Sequence, residues 1–195
     1  MAEAQLQDMT PQEFETWHKS QAERYEFVDG RPKLKFETWD GARMMVGATQ
    51  AHMLVAGNLF AFLREKLKGQ ACRVFAADGK IATAKGNYRY LDVAIDCGRF
   101  EPASTFLQEP RLVSEVLSKG THWIDTTRKL EEYKTVASLQ HILFVAQDEY
   151  RAQLWTRDGE WRLQEFEGAG SVLLLAYFSI DVPFAAIYEG IEISA

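Results

Sequence analysis

The chain has 195 residues, of which 47% are hydrophobic and 26% are charged. These proportions are typical of a globular protein, and the length suffices for one complete core, so we predict a single domain over residues 1–195. Its 22 Lys and Arg against 28 Asp and Glu give a formal net charge of −6. This acidic surplus argues against a protein that coats nucleic acid, although a local basic groove stays possible because net charge does not describe distribution.

The sequence contains neither a signal peptide nor a run of about 20 apolar residues, the length of a membrane span. We therefore expect a cytoplasmic protein with no membrane contact. The two cysteines, Cys72 and Cys97, match no zinc-binding spacing, and a single pair is weak evidence for a disulfide. Both lie in apolar, strand-like stretches, so we interpret them as small core residues.

The first third of the chain predicts a helix, a hairpin and a long helix. In "TPQEFETWHKSQ", Thr10 can cap a helix. The segment "RYEFVDGRPKLKFE" predicts two strands joined by a turn at Asp29-Gly30. "TQAHMLVAGNLFAFLREKLKG" predicts the longest helix, with Thr49 as its cap and Gly69 as its stop.

Strands dominate the remainder. "CRVFAA", "KIATA", "YRYLDVAID" and "RLVSEVLS" predict strands, and a helix over "DTTRKLEEYKTV", with Asp125 at or near its cap, precedes a buried strand "HILFVAQ". A hairpin "AQLWTRDGEWRLQEF", a strand "SVLLL" and a short helix from Pro183 follow. The helix between "RLVSEVLS" and "HILFVAQ" has the form of a crossover between neighbouring strands. We predict a mixed α/β (α+β) fold with a central twisted mixed sheet flanked by helices.

A carboxylate stands inside the predicted strand "YRYLDVAID". Strand alternation places Leu91, Val93 and Ile95 on one face, towards the core, and Asp92 on the opposite face. A carboxylate among apolar residues is costly unless a partner offsets its desolvation.

Glu115 stands in the same way in "RLVSEVLS", where it shares a face with Val113 and Leu117. If the two strands are adjacent, Asp92 and Glu115 could converge on one point, where like charges repel unless a cation lies between them. Mg²⁺ is held by one or two carboxylates and keeps several of its waters. The alternative is structural: Asp92 pairs with an arginine such as Arg89, and Glu115 with Lys129, as buried ion pairs.

Further polar residues have two interpretations each. Lys129 follows Asp125 by four residues, so it could form a solvated helical ion pair or stand as a cation beside a metal site. Tyr133, one turn beyond, could pack in the core or lie beside that cation. Glu26 is a third acid between aromatic neighbours, and His52, near the start of the long helix, could be a surface residue or a functional one.

The order of "YEFVDG", "TQAH", "YRYLDVAIDCG", "EPRLVSEVLSKGTHWIDTTRKLEEYKTVASLQHILFVAQ", "LWTRDGEW" and "IYEGI" closely resembles the Uma-two family. Members of this family are bacterial proteins described as restriction endonucleases and assigned to the PD-(D/E)XK nuclease superfamily. The most specific part is the stretch E-V-x-S-x-x-T, which starts at Glu115, followed by the spacing D-x-x-x-K-x-x-x-Y of Asp125, Lys129 and Tyr133. The resemblance covers nearly the whole chain and implies a restriction-endonuclease-like core with an extra hairpin near each end.

The resemblance also implies site residues. Asp92 and Glu115 match the two catalytic acids that ligate Mg²⁺ or Mn²⁺, and Glu26 matches a further acid that can join them. The superfamily lysine normally stands two residues after the second acid, where this chain has Leu117, and Lys129 matches a lysine moved to the next helix.

Four residues are accessory candidates under this resemblance: Glu26, His52, Asp125 and Tyr133. The family pattern has proline where this chain has Leu91, a change that we expect to shape only the entry to the strand.

The implied function is a metal-dependent endonuclease that hydrolyses phosphodiester bonds of DNA, acting as a homodimer if it cuts both strands. Two alternatives stay open at this point: a catalytically silent binding module with the nuclease fold, and a nuclease directed to RNA.

Overall fold

The fold is described from a computed structural model over residues 8–21, 25–34, 49–77, 79–118 and 123–193, with the backbone alone described at 123–125. Helices α1 to α4 span Pro11–His18, Gln50–Lys66, Trp123–Lys134 and Phe184–Ile187. Strands β1 to β6 span Tyr25–Val28, Arg31–Leu34, Arg73–Ala76, Lys80–Ala82, Tyr88–Tyr90 and Val93–Asp96. Strands β7 to β12 span Pro110–Leu117, His141–Ala146, Arg151–Asp158, Glu160–Glu167, Val172–Leu175 and Ile180–Pro183.

A six-stranded sheet in the order β10-β9-β8-β7-β6-β3 forms the centre of the protein. Only β7 and β8 in this sheet pair in parallel, through the predicted crossover helix α3, and the other neighbours are antiparallel. The predicted C-terminal hairpin is β9 with β10, at one edge of this sheet. The predicted N-terminal hairpin, β1 with β2, belongs to a second sheet of order β2-β1-β5-β4. The predicted mixed sheet flanked by helices is therefore confirmed.

Helices α2 and α3 cover opposite faces of the central sheet. Alternate residues of β7 enter two apolar clusters, as strand geometry requires. The cluster under α2 includes Val55, Leu59, Leu63, Leu112 and Val116. The cluster under α3 includes Val113, Leu117, Tyr133, Ile142 and Phe144. Strands β7 and β8 are consequently buried on both faces, which explains their nearly continuous apolar sequences.

The predicted strand "YRYLDVAID" is two strands, so that prediction is wrong in one respect. The segment β5 pairs in the smaller sheet and β6 pairs in the central sheet, with Leu91 and Asp92 at the junction. Because the chain changes sheet there, the alternation breaks: Leu91 packs on the α3 side, whereas Val93 and Ile95 pack on the α2 side. Asp92 thus stands at the entry to β6 rather than in the middle of a strand.

The interpretation of Cys72 and Cys97 as separate core residues is also wrong, because the two form a disulfide. Strands β3 and β6 are antiparallel with Arg73 opposite Asp96, so the next residues outward, Cys72 and Cys97, face each other. Both cysteines pack against the apolar cluster under α2. Their pairing follows from strand register, which their spacing in the sequence does not contain.

The predicted helix caps are confirmed for the first two helices. Thr10 forms a complete capping box with Glu13, and the Thr49 side chain accepts from the backbone N–H of His52. Helix α3 begins at Trp123, so Asp125 lies in its first turn. Within the residues described, none of the helices is both long and apolar enough to cross a membrane.

Candidate active site

Two side chains of α3 hold the carboxylate of Glu115. The Nζ of Lys129 lies 3.1 Å from Oε2, and the hydroxyl of Tyr133 donates a hydrogen bond to Oε1. Glu115 is 5% exposed and the Lys129 side chain 16%, so solvent reaches this contact only in part. One cation and one neutral hydroxyl therefore engage the two oxygens of a nearly buried carboxylate.

The geometry of α3 and β7 explains this contact. Lys129 and Tyr133 are four residues apart and share one face of the helix. Glu115 points towards α3 from the same face of β7 as Leu117, whose side chain packs in the apolar cluster. The ammonium thus reaches Glu115 from the following helix, as the hypothesis of a displaced lysine requires. The same contact is the ion pair of the structural alternative, so the catalytic role of Lys129 stays a prediction.

Asp92 is bound to the backbone of β7 beside Glu115. Its Oδ2 accepts a hydrogen bond of 2.8 Å from the N–H of Val116, the peptide group that follows Glu115. Its own N–H donates to the carbonyl of Ser114 at 3.2 Å. The structure therefore brings Asp92 and Glu115 to the same level of β7, near the carboxyl end of that strand. Such ends are where ligands bind in α/β folds.

His52 contacts the other oxygen of Asp92. Its Nε2 lies 3.4 Å from Oδ1, and its side chain is 18% exposed. His52 stands on the buried side of α2, three residues before Val55. The Thr49 cap fixes this first turn, because its hydroxyl also donates to Gln147 Oε1 at 2.8 Å. Of the four accessory candidates, His52 and Tyr133 are thus placed against the two acids.

Glu26 lies in a different cluster. Its Oε2 is 2.6 Å from Nη1 of Arg89, and its Oε1 accepts from the N–H of Tyr90 at 3.2 Å. Arg89 also binds Glu132 of α3 through Nε and Nη2, at 2.7 and 2.9 Å. Arg89 is therefore the partner of Glu26 and Glu132, and not of Asp92 as the structural alternative proposed.

Sequence reasoning did not identify the Arg89 cluster. Asn87 and Arg128 also bind Glu132, at 3.0 and 3.1 Å. Glu132 lies 43 residues from Arg89 and 45 from Asn87, so only the fold brings these groups together. The local signal available was weak: a glutamate on the helix face that adjoins the face of Lys129.

The electrostatic environment fixes the protonation of the groups around these acids. Burial, together with the charges of Glu115 and Glu26, raises the pKa of Tyr133 well above its ordinary value, so this hydroxyl stays a neutral donor. Burial lowers the pKa of Arg89, but its hydrogen bond to Glu132 and the charges of both acids outweigh this effect and raise it. Burial likewise raises the pKa of Glu132, but the hydrogen bond and charge of Arg89 prevail and lower it.

The donor chemistry around Asp92 suits a hard divalent cation. Asp92 and Glu115 supply carboxylate oxygens, which are the ligands that Mg²⁺ prefers. Among the described side chains, no three His, Cys, Asp or Glu gather in a group that could hold a metal. Glu26 is therefore not gathered with Asp92 and Glu115, and its role as a metal ligand stays a prediction. The side chain of Asp125 lies outside the described residues.

The sequence of the chain is similar to those of known proteins. Residues 11–184 match the sequence profile of the Uma2 family, described as "Putative restriction endonuclease". An uncharacterized protein of Synechocystis sp. (strain ATCC 27184 / PCC 6803 / Kazusa) is 27% identical over 190 residues, covering 94% of this chain and 93% of the relative. A second from the same organism is 26% identical over 142 residues, covering 70% and 80%.

The fold also matches a solved structure. A crystal structure from Anabaena variabilis ATCC 29413, described as a "putative nuclease belonging to DUF820", superposes with a TM-score of 0.69 at 14% identity. The superposition covers 92% of this chain and 97% of that chain, which confirms the predicted fold class.

Proposed function

We propose, because the chain belongs to the Uma2 family of restriction-endonuclease-like proteins, that it is a metal-dependent endonuclease that hydrolyses phosphodiester bonds of DNA. One observation carries the proposal. The carboxylate of Asp92 accepts a hydrogen bond from the peptide N–H that follows Glu115, and the ammonium of Lys129 contacts the carboxylate of Glu115. Membership of the family supports a nuclease activity. The dependence on a metal ion and the choice of DNA as substrate are our proposals.

Asp92 and Glu115 are the residues that would hold a Mg²⁺ or Mn²⁺ ion. When bound, such an ion polarises a phosphoryl oxygen and lowers the pKa of a bound water towards neutrality. The hydrogen bond from Val116 N–H keeps one oxygen of Asp92 fixed, and Tyr133 does the same for Glu115. These hydrogen bonds orient the two carboxylates, as outer contacts commonly do for side chains that ligate a metal.

Lys129 supplies the cation that the reaction needs beside the acids. Its ammonium lies 3.1 Å from Glu115 Oε2, so it stands beside the acid that would hold the metal, where an attacking water or a phosphoryl oxygen would approach. A fixed positive charge there stabilises the negative charge that develops on phosphate in the transition state. The chain thus contributes orientation of the acids and one electrostatic donor.

The deciding experiment measures cleavage of supercoiled plasmid with Mg²⁺ or Mn²⁺ by the wild type, Asp92→Asn and Glu115→Gln. We expect the wild type to cut and both variants to lose cleavage. Asp96→Asn is the matched control, because Asp96 is an equally buried acid of β6 whose oxygens cap the N–H groups of Gly98, Gln108 and Glu109. The Asp96→Asn variant should be less stable than the wild type and should still cleave the plasmid.

The alternatives are outcomes of the same assay. Cleavage of single-stranded or duplex RNA with no cleavage of DNA would replace DNA by RNA as the substrate. A wild type that cuts neither, but binds DNA without a divalent ion, would leave a silent binding module. Cutting of both strands predicts two sites, so light scattering should then find a homodimer. Equal cleavage by the wild type and Asp92→Asn would refute the proposed site.

A further inference from the structure

Helix α3 joins two parts of the protein through two adjoining faces. Lys129 and Tyr133 face Glu115 on the central sheet. Glu132, one position before Tyr133, faces Arg89 on the smaller sheet. Because successive residues of a helix are fixed relative to one another, a shift of the second face moves the first by the same amount. The contact with the smaller sheet therefore sets where Lys129 and Tyr133 stand.

That contact is centred on a buried ion cluster. Arg89 presents a two-pronged fork to both oxygens of Glu132, at 2.7 and 2.9 Å, and its remaining nitrogen to Glu26 at 2.6 Å. The side chains of Arg89, Glu132 and Glu26 are 5%, 3% and 7% exposed. Bidentate pairing of this kind has one geometry and is stronger than a single neutral hydrogen bond.

Two outer contacts extend the attachment along the helix. Arg128 binds Asp29 of the β1–β2 turn at 2.6 Å. The N–H of Ala84, in the loop after β4, donates to the hydroxyl of Thr135 at 3.1 Å. The smaller sheet thus holds α3 from Arg128 to just beyond its last turn, the stretch that carries both groups on Glu115.

Stability alone is a weak explanation for this cluster. Replacement of a buried ion pair by apolar residues is often neutral or stabilising, and the best-attested use of buried polar groups is to fix one register. An apolar contact between α3 and the smaller sheet would allow several positions of the helix along its axis, whereas the bidentate contact of Arg89 with Glu132 has the correct geometry in only one. We propose that Arg89 is a positioning residue: through Glu132 it fixes α3 at the register in which Lys129 and Tyr133 reach Glu115. The catalytic consequence of this inference rests on the proposed nuclease function.

The test compares crystal structures and steady-state kinetics of the wild type and the triple variant Arg89→Met/Glu26→Gln/Glu132→Leu, which leaves no buried charge of this cluster unpaired. We expect a folded protein in which Lys129 Nζ and Glu115 separate beyond hydrogen-bonding distance. The value of kcat should fall about 10²-fold with KM unchanged, the scale expected for a misplacement of about 1 Å. A triple variant that keeps the 3.1 Å contact would overturn the proposal.

Two controls separate positioning from stability and from a direct role of Glu26. Lys80→Met/Glu15→Gln removes an ion pair, 2.6 Å long, between the buried Lys80 of β4 and the half-buried Glu15 of α1, and this pair does not touch α3. It should lower Tm while the Lys129–Glu115 distance and kcat stay unchanged. Glu26→Gln alone keeps the bidentate contact of Arg89 with Glu132, so the Lys129–Glu115 distance should stay unchanged, and any loss of kcat in this variant measures a direct role of Glu26. A loss of kcat in the Lys80 control equal to that of the triple variant would count against positioning.

A conservative variant covers the case in which the triple variant does not fold. Arg89→Lys keeps the positive charge and loses the fork, so it should fold, lengthen the Lys129–Glu115 distance and lower kcat. An unchanged distance in Arg89→Lys would overturn the inference. If the wild type cuts no nucleic acid, the proposed function fails, and the crystallographic distances still decide whether Arg89 positions α3.

Discussion

The ammonium of Lys129 and the carboxylate of Glu115 meet at 3.1 Å although 14 residues and a change from strand to helix separate them. The usual superfamily position, two residues after the acid, is on the strand itself. Here Leu117 occupies it and packs in the core under α3. If Lys129 is the catalytic cation, as we propose, its position depends on how α3 is attached to the two sheets, and not on strand geometry alone.

Replacing Lys129 by Met should lower the cleavage rate by about 10²-fold or more, the scale of losing one electrostatic donor to the transition state. The apolar stem is kept, so the change removes mainly the charge near Glu115. Plasmid cleavage under single-turnover conditions measures the effect. Lys134→Met is the matched control on the same helix, because Lys134 pairs with Glu131 and stacks on Trp155. A loss in Lys134→Met as large as that in Lys129→Met would contradict the assignment.

Tyr133→Phe should lower cleavage about 10-fold, the lower end of the range for a group that orients a ligand. The ring still fills the core, and only the hydrogen bond to Glu115 Oε1 is lost. We expect a loss of about 2 kcal/mol in the free energy of unfolding, since the lost bond is to a charged group. Tyr188→Phe removes another buried hydroxyl, bound to the carbonyls of Ala146 and Arg151, and should keep full cleavage.

Much of the fold was predictable because local patterns and global packing agree. The caps at Thr10 and Thr49, the hairpins and the crossover from β7 through α3 to β8 all follow from short-range signals, and the structure has each of them. The isolated carboxylate of Glu115 in an apolar strand correctly indicated that a partner must lie near it. Lys129 was predictable as that partner because α3 follows β7 directly.

The rest depended on pairings between distant segments. The sequence from Tyr88 to Asp96 predicts one strand, yet its two halves, β5 and β6, belong to different sheets. No local sequence signal indicates that the chain passes from one sheet to the other at Asp92. Arg89 was a candidate partner for Asp92 because the two are close in sequence. Its actual partners, Glu26 and Glu132, lie 63 and 43 residues away. Such contacts are decided by how the two sheets meet α3.

Removing the disulfide by Cys72→Ser/Cys97→Ser should lower the free energy of unfolding by about 3.5 kcal/mol, the chain-entropy value for a loop of this length. Urea denaturation with and without a reductant measures the same difference in the wild type. Thiols in the cytoplasm are normally kept reduced. The disulfide in the structure and the expected cytoplasmic location therefore predict different redox states for the two cysteines. A thiol assay on freshly lysed cells, before air oxidation, separates them: no free thiol supports the bond, and two free thiols support the reduced form in the cell.

Acid should destabilise the protein through His141. This side chain is fully buried, and burial lowers its pKa from 6.5 to about 4. Its Nε2 accepts from the N–H of Tyr177 at 3.2 Å, and its Nδ1 lies 3.1 Å from the hydroxyl of Thr156, so the neutral ring satisfies both contacts. Protonation of Nε2 would turn it into a donor that faces the N–H donor of Tyr177, so this hydrogen bond would be lost.

The sign follows from proton binding. Between pH 6.5 and about 4 the unfolded chain takes up a proton at His141 that the folded protein does not, so stability falls as pH falls through this window. The contribution is complete above pH 6.5 and amounts to about 3 kcal/mol over the window, at about 1.4 kcal/mol per pKa unit. Glu132, whose pKa is lowered from 4.5, acts in the next window: its contribution is present above pH 4.5 and is lost as pH falls through its folded pKa.

Urea denaturation at closely spaced pH values measures how the free energy of unfolding changes with pH. His141→Gln cannot titrate there, so its stability relative to the wild type should improve steadily from pH 6.5 to about 4 and then change no further. Because Glu132 acts mainly below this window, the difference between the two proteins isolates the histidine. Parallel stability curves for the wild type and His141→Gln across the window would show that His141 is not the acid-sensitive group.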